Sequence, residues 1–217
     1  MRRQPLRVAL LLGSTREGPP RPQLGARVGA YVAKAIQGRG HTVDVIDPAV
    51  EDVPLVPFQP HFTYAKAPAS LETLARRFGD SDALVCVTPE YNHAPSPAML
   101  NVLNSFGSSL FAFKPSLIVS YSAGQWGGVR AAHSLRPILS ELGCLPVSAM
   151  IHVPRAGSAF GEDGAAREAA ARWAAYAERG VSQLEWWATA ARAHRGLVDP
   201  TADSPALRSA PAQRDAP

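Results

Sequence analysis

The stretch that decides the fold of this chain is Ala83-Leu-Val-Cys-Val-Thr-Pro-Glu-Tyr-Asn-His93. A short apolar run, typical of a buried strand, leads directly into a polar and aromatic loop, and an amphipathic segment follows. In an open parallel sheet, ligands bind in the crevice beyond the carboxyl ends of the strands. The loop is therefore a candidate binding loop. An ordinary turn is the alternative, because Pro and Asn favour turns for local reasons.

The same alternation of apolar runs and helical patterns extends along most of the chain. Strands are predicted at 7–12, 42–47, 83–87, 116–120 and 146–153. Helices are predicted at about 24–36, 70–79, 97–106, 131–142 and 164–193, the last with a break near Gly180. Five strands alternating with five helices predict an α/β three-layer sandwich around a five-stranded parallel sheet. Right-handed crossovers favour the flavodoxin-like strand order 2-1-3-4-5, with a ligand crevice beyond strands 1, 3 and 4.

Length and composition favour one folded domain. The chain has 217 residues, 46% of them hydrophobic, and no apolar run approaches the ~18 residues of a membrane span. We expect a single domain over 1–195 and a disordered tail over 196–217, where Pro, Ala, Ser and charges replace the apolar pattern. The first apolar run lacks the cleavage pattern of a signal peptide, so a cytoplasmic protein without a membrane partner is expected.

The charge and the cysteines exclude other classes of function. The net charge is +4, but the basic residues are scattered with no run of five or more. We therefore expect no nucleic-acid partner, and the basic balance favours attraction of anionic nucleotides instead. Cys86 and Cys144 have no Cys or His at metal-ligand spacing. Both are interpreted as small buried hydrophobic residues, and no metal is expected.

The loop after the first strand has the character of an anion site. Gly13-Ser14-Thr15-Arg16-Glu17-Gly18 combines hydroxyls, backbone N–H groups and the approach to a helix N-terminus. Arg16 or Arg21 would add a charge-assisted contact to phosphate. The loop lacks the spacing of dinucleotide and triphosphate loops, so a monophosphate fits better. An ordinary capped strand–helix turn is the alternative.

The loop after the fourth strand is rich in glycine. Gly124, Gly127 and Gly128 fall within five residues and allow close approach of the backbone to a ligand. Trp126 among them suits a planar aromatic ligand, although Gly127-Gly128 is also consistent with a simple helix-initiating turn. Together with the anion loop, these residues predict a planar heterocycle that carries a single phosphate, which is a description of FMN.

These three loops, in this order, resemble those of the NAD(P)H-dependent FMN reductases of the flavodoxin-like superfamily. The resemblance is carried by Gly13-Ser14-Thr15-Arg16, by Pro89-Glu90-Tyr91-Asn92-His93, and by Ser120-Tyr121-Ser122-Ala123-Gly124 with Gly127-Gly128-Val129-Arg130. It extends from about Leu6 to Pro154. It implies a non-covalently bound FMN and hydride transfer from NADPH or NADH to a flavin, quinone or similar small-molecule acceptor. It also implies a homodimer or a dimer of dimers.

The resemblance also implies which residues form the site. Ser14 and Arg16 should contact the FMN phosphate, 89–92 should line the ring, and Ser122, Gly124 and Gly127 should approach its other edge. The full set of expected cofactor-binding residues is Gly13, Ser14, Thr15, Arg16, Arg21, Pro89, Glu90, Tyr91, Asn92, His93, Ser122, Gly124, Gly127 and Gly128. No side chain is expected to be catalytic, because the cofactor carries the reaction.

The first loop departs from the family pattern in one respect. The family often continues with Arg, Ser or Asn before the helix, whereas this chain reads Glu17-Gly18-Pro19-Pro20-Arg21-Pro22. An acid beside a phosphate is unfavourable unless it turns away, and proline lacks the N–H donor of other residues. The phosphate contacts of this chain are therefore expected to differ from those of the family.

Several other residues have two interpretations. His93 is favoured as a loop histidine without a chemical role over a proton donor. Glu90 either orients its loop and pairs with Arg130 or is a surface carboxylate. The long Pro-rich loop at 51–68, with Phe58, His61, Phe62 and Tyr64, is a candidate lid and wall of the ring site. Trp173, Trp186 and Trp187 are expected to serve core or dimer packing.

An enzyme is the favoured class of protein, and two other classes remain open. One is a non-catalytic flavin-binding module or a flavodoxin-like electron carrier. Such carriers usually expose an acidic face, whereas this chain is net basic. The other is a flavin-free scaffold with the same fold, because a fold alone does not establish a function.

Overall fold

A central sheet of six parallel strands is described by the computed structural model, which covers residues 4–16, 23–55 and 57–203. The strands are β1 (Arg7–Leu12), β2 (Thr42–Ile46), β3 (Ala83–Pro89), β4 (Pro115–Tyr121), β5 (Leu145–Pro146) and β6 (Ile151–Val153). Their order is β2-β1-β3-β4-β5, and β6 also pairs with β4. The predicted order 2-1-3-4-5 is confirmed.

Eight helices of the described residues connect and follow these strands. They are α1 (Leu24–Gln37), α2 (Ala69–Gly79), α3 (Pro97–Ser105), α4 (Ser108–Phe111), α5 (Val129–Glu141), α6 (Ala156–Ala159), α7 (Ala170–Arg195) and α8 (Pro200–Asp203). The short α4, α6 and α8 were not predicted. A 3-10 turn at His61–Thr63 interrupts the long loop between β2 and α2.

The core consists of two apolar layers, one on each face of the sheet. Alternate residues of a strand point to opposite faces, so Val8 and Leu10 differ from Ala9 and Leu11 in their neighbours. The first pair belongs to the layer under α1 and α7, and the second pair belongs to the layer under α2, α3 and α5. Strands β3 and β4 are buried at every position, as central parallel strands should be. The predicted three-layer sandwich is confirmed.

The start of α3 fixes the loop after β1 in place. Ser96 is the N-cap of α3 and its hydroxyl accepts a hydrogen bond from the Met99 N–H (3.1 Å), while Pro97 occupies the first turn. The same hydroxyl donates to the Gly13 carbonyl. The Gly13 N–H in turn donates to the Val87 carbonyl (2.8 Å). The predicted cap is confirmed, and it ties the loops after β1 and β3 together.

The predicted fifth strand at 146–153 is wrong as a single strand. The chain pairs with β4 at β5, leaves the ladder, and pairs with β4 again at β6. The reason is a competing set of hydrogen bonds from Arg136 on α5. Its guanidinium donates to the carbonyls of Pro146 (3.1 Å), Val147 (2.8 Å) and Ser148 (3.3 Å). The sheet therefore has six strands rather than five.

The last long helix also differs from its prediction. Helix α7 begins at Ala170 rather than near Gly164, because Gly164 lies at a positive φ of 78° in a turn closed by Asp163. The helix continues through Gly180 without a break. A Cβ at Gly180 would lie 3.0 Å from Leu117 Cδ1. The glycine therefore permits close packing of α7 on β4.

The predictions for the C-terminal tail, the two cysteines and membrane-spanning segments can also be compared with the structure. The expected disordered tail is described only as far as Asp203, and 204–217 lie outside the described residues. Both cysteines are buried and free, as predicted, and burial raises the pKa of the Cys144 thiol to about 12. No helix among the described ranges is long and apolar enough to span a bilayer.

Candidate functional site

The loops after β1, β3 and β4 meet at one cleft beyond the carboxyl ends of these strands. Its volume is about 380 Å³, within the range of ~300–1,000 Å³ that is usual for small-molecule sites. Its lining residues are Ser14, Arg16, Gln23, Leu24, Pro89, Glu90, Tyr91, Asn92, Tyr121, Ser122 and Ala123. The fold thus brings together seven of the predicted site residues.

The loop after β1 presents free donors at one end of the cleft. Among the described residues, the backbone N–H groups of Ser14 and Thr15 have no acceptor. The Ser14 hydroxyl accepts the Arg16 N–H (3.3 Å), and the exposed Arg16 guanidinium lies 4.4 Å from the centroid of the Tyr91 ring. Helix α1 begins here without a side-chain cap or an acidic residue in its first turn. This end of the cleft therefore favours an anion.

The loop after β3 turns back on itself through Asn92 and His93. Tyr91 and Ala94 exchange two backbone hydrogen bonds of 3.0 Å, and the two residues between them have positive φ angles of 51° and 66°. Positive φ at both central positions is typical of a type I′ turn, and Asn and His are among the non-glycine residues enriched at positive φ. Tyr91 and Asn92 line the cleft, whereas His93 is exposed and outside its lining. A passive role for His93 stays a prediction.

Glu90 connects the loops after β3 and β4. Its N–H donates to the Tyr121 carbonyl (3.1 Å). Its Oε2 accepts the N–H groups of Arg130 (3.0 Å) and Ala131 (3.3 Å), and its Oε1 pairs with the Arg130 guanidinium (3.3 Å). The N-cap of α5 is Gly128, which has no side chain. Glu90 therefore caps α5 from another loop, and the predicted Glu90–Arg130 pair is present.

Two glycines of the loop after β4, Gly127 and Gly128, are buried. Gly128 has a φ of 77°, and a Cβ there would lie 2.9 Å from both the N and the O of Tyr121. Gly127 has a φ of 61°, and its carbonyl accepts the Ser120 hydroxyl (2.8 Å). Neither glycine lines the cleft. In this structure they let the loop pack on β4, and direct contact with a ligand stays a prediction.

Tyr121 is a cleft residue that the sequence analysis did not select. It is only 4% exposed, and its hydroxyl would lie 2.6 Å from a Cβ at Gly25 on α1. Burial raises the pKa of Tyr121 far above its ordinary value, and a hydrogen bond with Ser14 opposes the shift. The phenol therefore stays protonated at neutral pH. Tyr121 and Ala123 stand in the stretch that carries the family resemblance, which was the available signal; Gln23 and Leu24 gave none.

The other predicted residues lie beside the cleft or outside the described ranges. Gly13 is buried below it, with Met99 Cε 3.0 Å from where a Cβ would stand. Thr15 and Gly124 are exposed on its flanking loops, and Arg21 lies outside the described residues, as do the other residues of 17–22. The loop at 51–68 contributes no residue to the lining described here, and its Tyr64 packs in the layer under α2 and α3. That this loop forms a lid or a wall of the ring site stays a prediction.

The sequence model of the NADPH-dependent FMN reductases matches residues 6–157. The chain belongs to this family, whose members are oxidoreductases. It is 32% identical over 124 residues to an NADPH azoreductase from Bacillus sp. (strain OY1-2), covering 57% of this chain and 65% of that protein. It is 34% identical over 141 residues to a quinone reductase from Escherichia coli (strain K12), covering 62% of this chain and 69% of that protein.

Solved structures with the same fold include two flavoproteins by name. The flavoenzyme NAD(P)H:(acceptor) oxidoreductase FerB from Paracoccus denitrificans has a TM-score of 0.66 at 23% identity, covering 83% of this chain and 97% of that one. A flavodoxin from Pseudomonas aeruginosa has a TM-score of 0.50 at 12% identity, covering 83% and 99%. The fold is therefore flavodoxin-like.

Proposed function

We propose that this protein is an FMN-dependent oxidoreductase that uses NADPH or NADH to reduce a small acceptor such as a quinone, an azo compound or a flavin. The observation that carries the proposal is the cleft beyond β1, β3 and β4. It joins an anion-binding end with an aromatic wall, at the edge of the sheet where such folds bind ligands. The names of the related reductases support the same class of acceptors.

The residues of the cleft fit FMN. The free N–H groups of Ser14 and Thr15, the Arg16 guanidinium and the start of α1 suit its phosphate. Among the described residues, the backbone N–H groups of Asn92 and Ala123 also have no acceptor, and they suit the polar edge of a flavin ring. When bound, FMN would supply the hydride chemistry between the nicotinamide nucleotide and the acceptor.

We expect the side chains of the cleft to position and enclose the cofactor and the substrates, and not to take part in the reaction themselves. Glu90 holds the turn that carries Tyr91 by its bonds to α5. The protonated Tyr121 phenol closes the floor of the cleft next to Ser14. We propose no catalytic side chain, because hydride transfer through a flavin needs orientation more than an acid or a base.

We also propose ping-pong turnover and a homodimer, or a dimer of dimers. We expect one stacking position on the face of the cofactor ring, which the nicotinamide and the acceptor would both need. The two therefore alternate at one position. Self-association is supported by Trp186 and Trp187 on α7, which pack against each other with centroids 4.6 Å apart yet stay 58% and 43% exposed.

An absorbance spectrum of the purified protein, followed by addition of NADPH, tests the proposal. We expect a flavin spectrum that bleaches on reduction and recovers when a quinone is added. Denaturation should release FMN. Release of FAD, or a colourless protein that cannot be reconstituted with FMN, would contradict the cofactor. A flavoprotein that neither NADPH nor NADH reduces would instead be an electron carrier, the alternative that the net charge of +4 disfavours.

A further inference from the structure

A second cavity of about 550 Å³ lies beside the cleft at the same end of the sheet. It is lined by Gln125, Trp126, His152, Pro154, Ala169, Arg172, Trp173 and Tyr176. The two spaces share the loop after β4, since Ala123 lines the cleft and Gln125 lines the cavity. A ligand longer than one ring system could therefore occupy both.

The walls of this cavity are aromatic. Trp126 is 59% exposed, and Trp173 and Tyr176 of α7 line the same cavity with their ring centroids 6.1 Å apart. An indole exposed to this degree favours stacking with another planar ring. The cavity is thus suited to a heterocycle rather than to an aliphatic chain.

A positive charge stands at the cavity, and it has no partner among the described residues. Arg172 lies in the first turn of α7, where there is no acidic residue. The described ranges show no hydrogen bond or ion pair of its guanidinium, and the side chain is exposed. A cation in the first turn of its own helix is electrostatically unfavourable. A guanidinium in this position is well placed to bind a phosphate, because it can donate two parallel N–H hydrogen bonds to the phosphate oxygens.

His152 adds a neutral acceptor. The Ser120 hydroxyl donates to the Gly127 carbonyl (2.8 Å), and its oxygen lies 2.8 Å from His152 Nδ1. Nδ1 must then carry the proton, which leaves Nε2 as an acceptor. Burial lowers the pKa of His152, and the nearby His133 acts in the same direction. The ring is therefore neutral at pH 7 and can accept the amino group of a purine.

We propose that this cavity binds the adenosine 2′-phosphate end of NADPH, with Arg172 on the phosphate and Trp126 against the purine. The inference rests on the proposed function, which puts the nicotinamide end in the neighbouring cleft. It makes Arg172 the residue that selects NADPH over NADH, since NADH lacks the 2′-phosphate.

The test uses adenosine 2′,5′-bisphosphate as the probe, titrated calorimetrically into the FMN-loaded protein so that the phosphate end of the cleft is already filled. The variants are Arg172→Ala and Trp126→Ala. Their matched controls are Arg179→Ala, another exposed arginine of α7 outside the cavity, and Trp186→Ala, whose exposure of 58% is close to the 59% of Trp126.

We expect Arg172→Ala to weaken binding of the bisphosphate about tenfold to a hundredfold, as the loss of a charge-assisted contact should. AMP should bind the wild type more weakly than the bisphosphate does and should lose little affinity in Arg172→Ala. Trp126→Ala should weaken both ligands, and the two controls should match the wild type. Failure of the bisphosphate to bind the wild type, or equal losses in Arg172→Ala and Arg179→Ala, would overturn the inference.

Steady-state kinetics separate this inference from the proposed function. Arg172→Ala should raise KM for NADPH by the same factor, with kcat unchanged and with KM for NADH unaffected. If the wild type oxidises neither nucleotide, the proposed function is wrong, and the binding titration still shows whether the cavity binds the bisphosphate. If it oxidises both and Arg172→Ala changes neither KM, the cavity inference alone is wrong.

Discussion

Arg16 is the side chain on which cofactor affinity should depend most directly. Replacing Arg16 by Ala should remove the charge-assisted contact that we propose to the FMN phosphate, a loss of roughly 1.5–3 kcal/mol. FMN affinity should fall by about one to two decades. Fluorescence titration of FMN into the apoprotein measures the change.

Riboflavin is the matched ligand control for Arg16, because it differs from FMN by the phosphate alone. Its affinity should fall far less than that of FMN. The stacking of the Arg16 guanidinium on the Tyr91 ring (4.4 Å) would act on both ligands alike. Equal losses for FMN and riboflavin would therefore show that Arg16 supports the ring site and does not touch the phosphate.

His41 should make the fold sensitive to mild acid. Its Nδ1 accepts the Leu6 N–H (3.2 Å), and its Nε2 lies 3.8 Å from Glu185 Oε1. Burial lowers the pKa of His41, Glu185 opposes this, and Arg39 and Arg192 lower the pKa further. The unfolded chain then binds the proton more readily. The stabilisation by neutral His41 is complete above a pH of about 6.5 and is lost as the pH falls below it.

Denaturant unfolding from pH 8 to pH 5 measures this effect. His41→Asn keeps an acceptor for the Leu6 N–H but does not titrate. The wild type should therefore lose more unfolding free energy than this variant as the pH falls. His93→Asn, at an exposed loop position, is the control and should follow the wild type. Parallel curves for the wild type and His41→Asn would contradict the assignment.

At the scale of the elements, Gly128 should be essential for the packing of its loop on β4. An added methyl group would meet Tyr121 N and O at 2.9 Å while the residue keeps a φ of 77°. Gly40 is a matched control, because it has a φ of 87° and no neighbour within 4 Å. Gly40→Ala should cost about 1–2 kcal/mol from the left-handed backbone alone.

Gly128→Ala should cost about 1–3 kcal/mol more than the control, because its methyl group meets strand backbone that cannot move aside. Thermal and denaturant unfolding of the two variants gives the difference. Equal destabilisation would show that the loop relaxes away from β4 and that the glycine serves only its backbone angle.

The sequence predicted the elements whose signals are local. The apolar runs at β1, β3 and β4 and the Ser96-Pro97 start of α3 depend on neighbouring residues, and all four are confirmed. The split between β5 and β6 depends on Arg136, which competes for carbonyls from another element. Gly180 carried the signal of a helix break, but its small size serves contact with Leu117. Tertiary contacts therefore determine both the split of the outer strand and the continuity of α7 at Gly180, and neither can be predicted from neighbouring residues.

The site was predictable to a similar degree. The three loops after β1, β3 and β4 were found because parallel strands end at one edge, and their polar residues are contiguous in sequence. The role of Glu90 as the cap of α5 was foreseen only as a possible pair with Arg130. The second cavity was not foreseen, because Trp126, His152 and Arg172 lie on three separate segments. No spacing rule relates residues so far apart in the chain.

At the scale of the whole molecule, light scattering should report a mass of at least twice 23.1 kDa at micromolar concentration. The exposed indoles of Trp186 and Trp187 provide the apolar contact that we expect the partner copy to cover. The double change to Ala should shift the protein toward monomer. Trp126→Ala, which alters another exposed indole of the chain, should not. A monomeric wild type would contradict the proposal.

Ping-pong turnover should appear as parallel lines in double-reciprocal plots of rate against NADPH at several quinone concentrations. The physical reason is the single stacking position on the cofactor ring that we propose for both the nicotinamide and the quinone. High quinone concentrations should also inhibit competitively against NADPH, because both use the same position. Intersecting lines would show that the two substrates bind together and that the acceptor has a place outside the cleft.

The interrupted outer strand has a consequence for how copies of the chain can meet. An exposed sheet edge is a template for indefinite edge-to-edge growth into aggregates. Here the outer edge consists of a two-residue and a three-residue strand. Between them, Arg136 occupies the carbonyls of Pro146–Ser148, and Gln183 of α7 accepts the Ala149 N–H (3.0 Å). A neighbouring molecule finds no continuous ladder to extend along β5 and β6, so this edge of the sheet resists fibre formation.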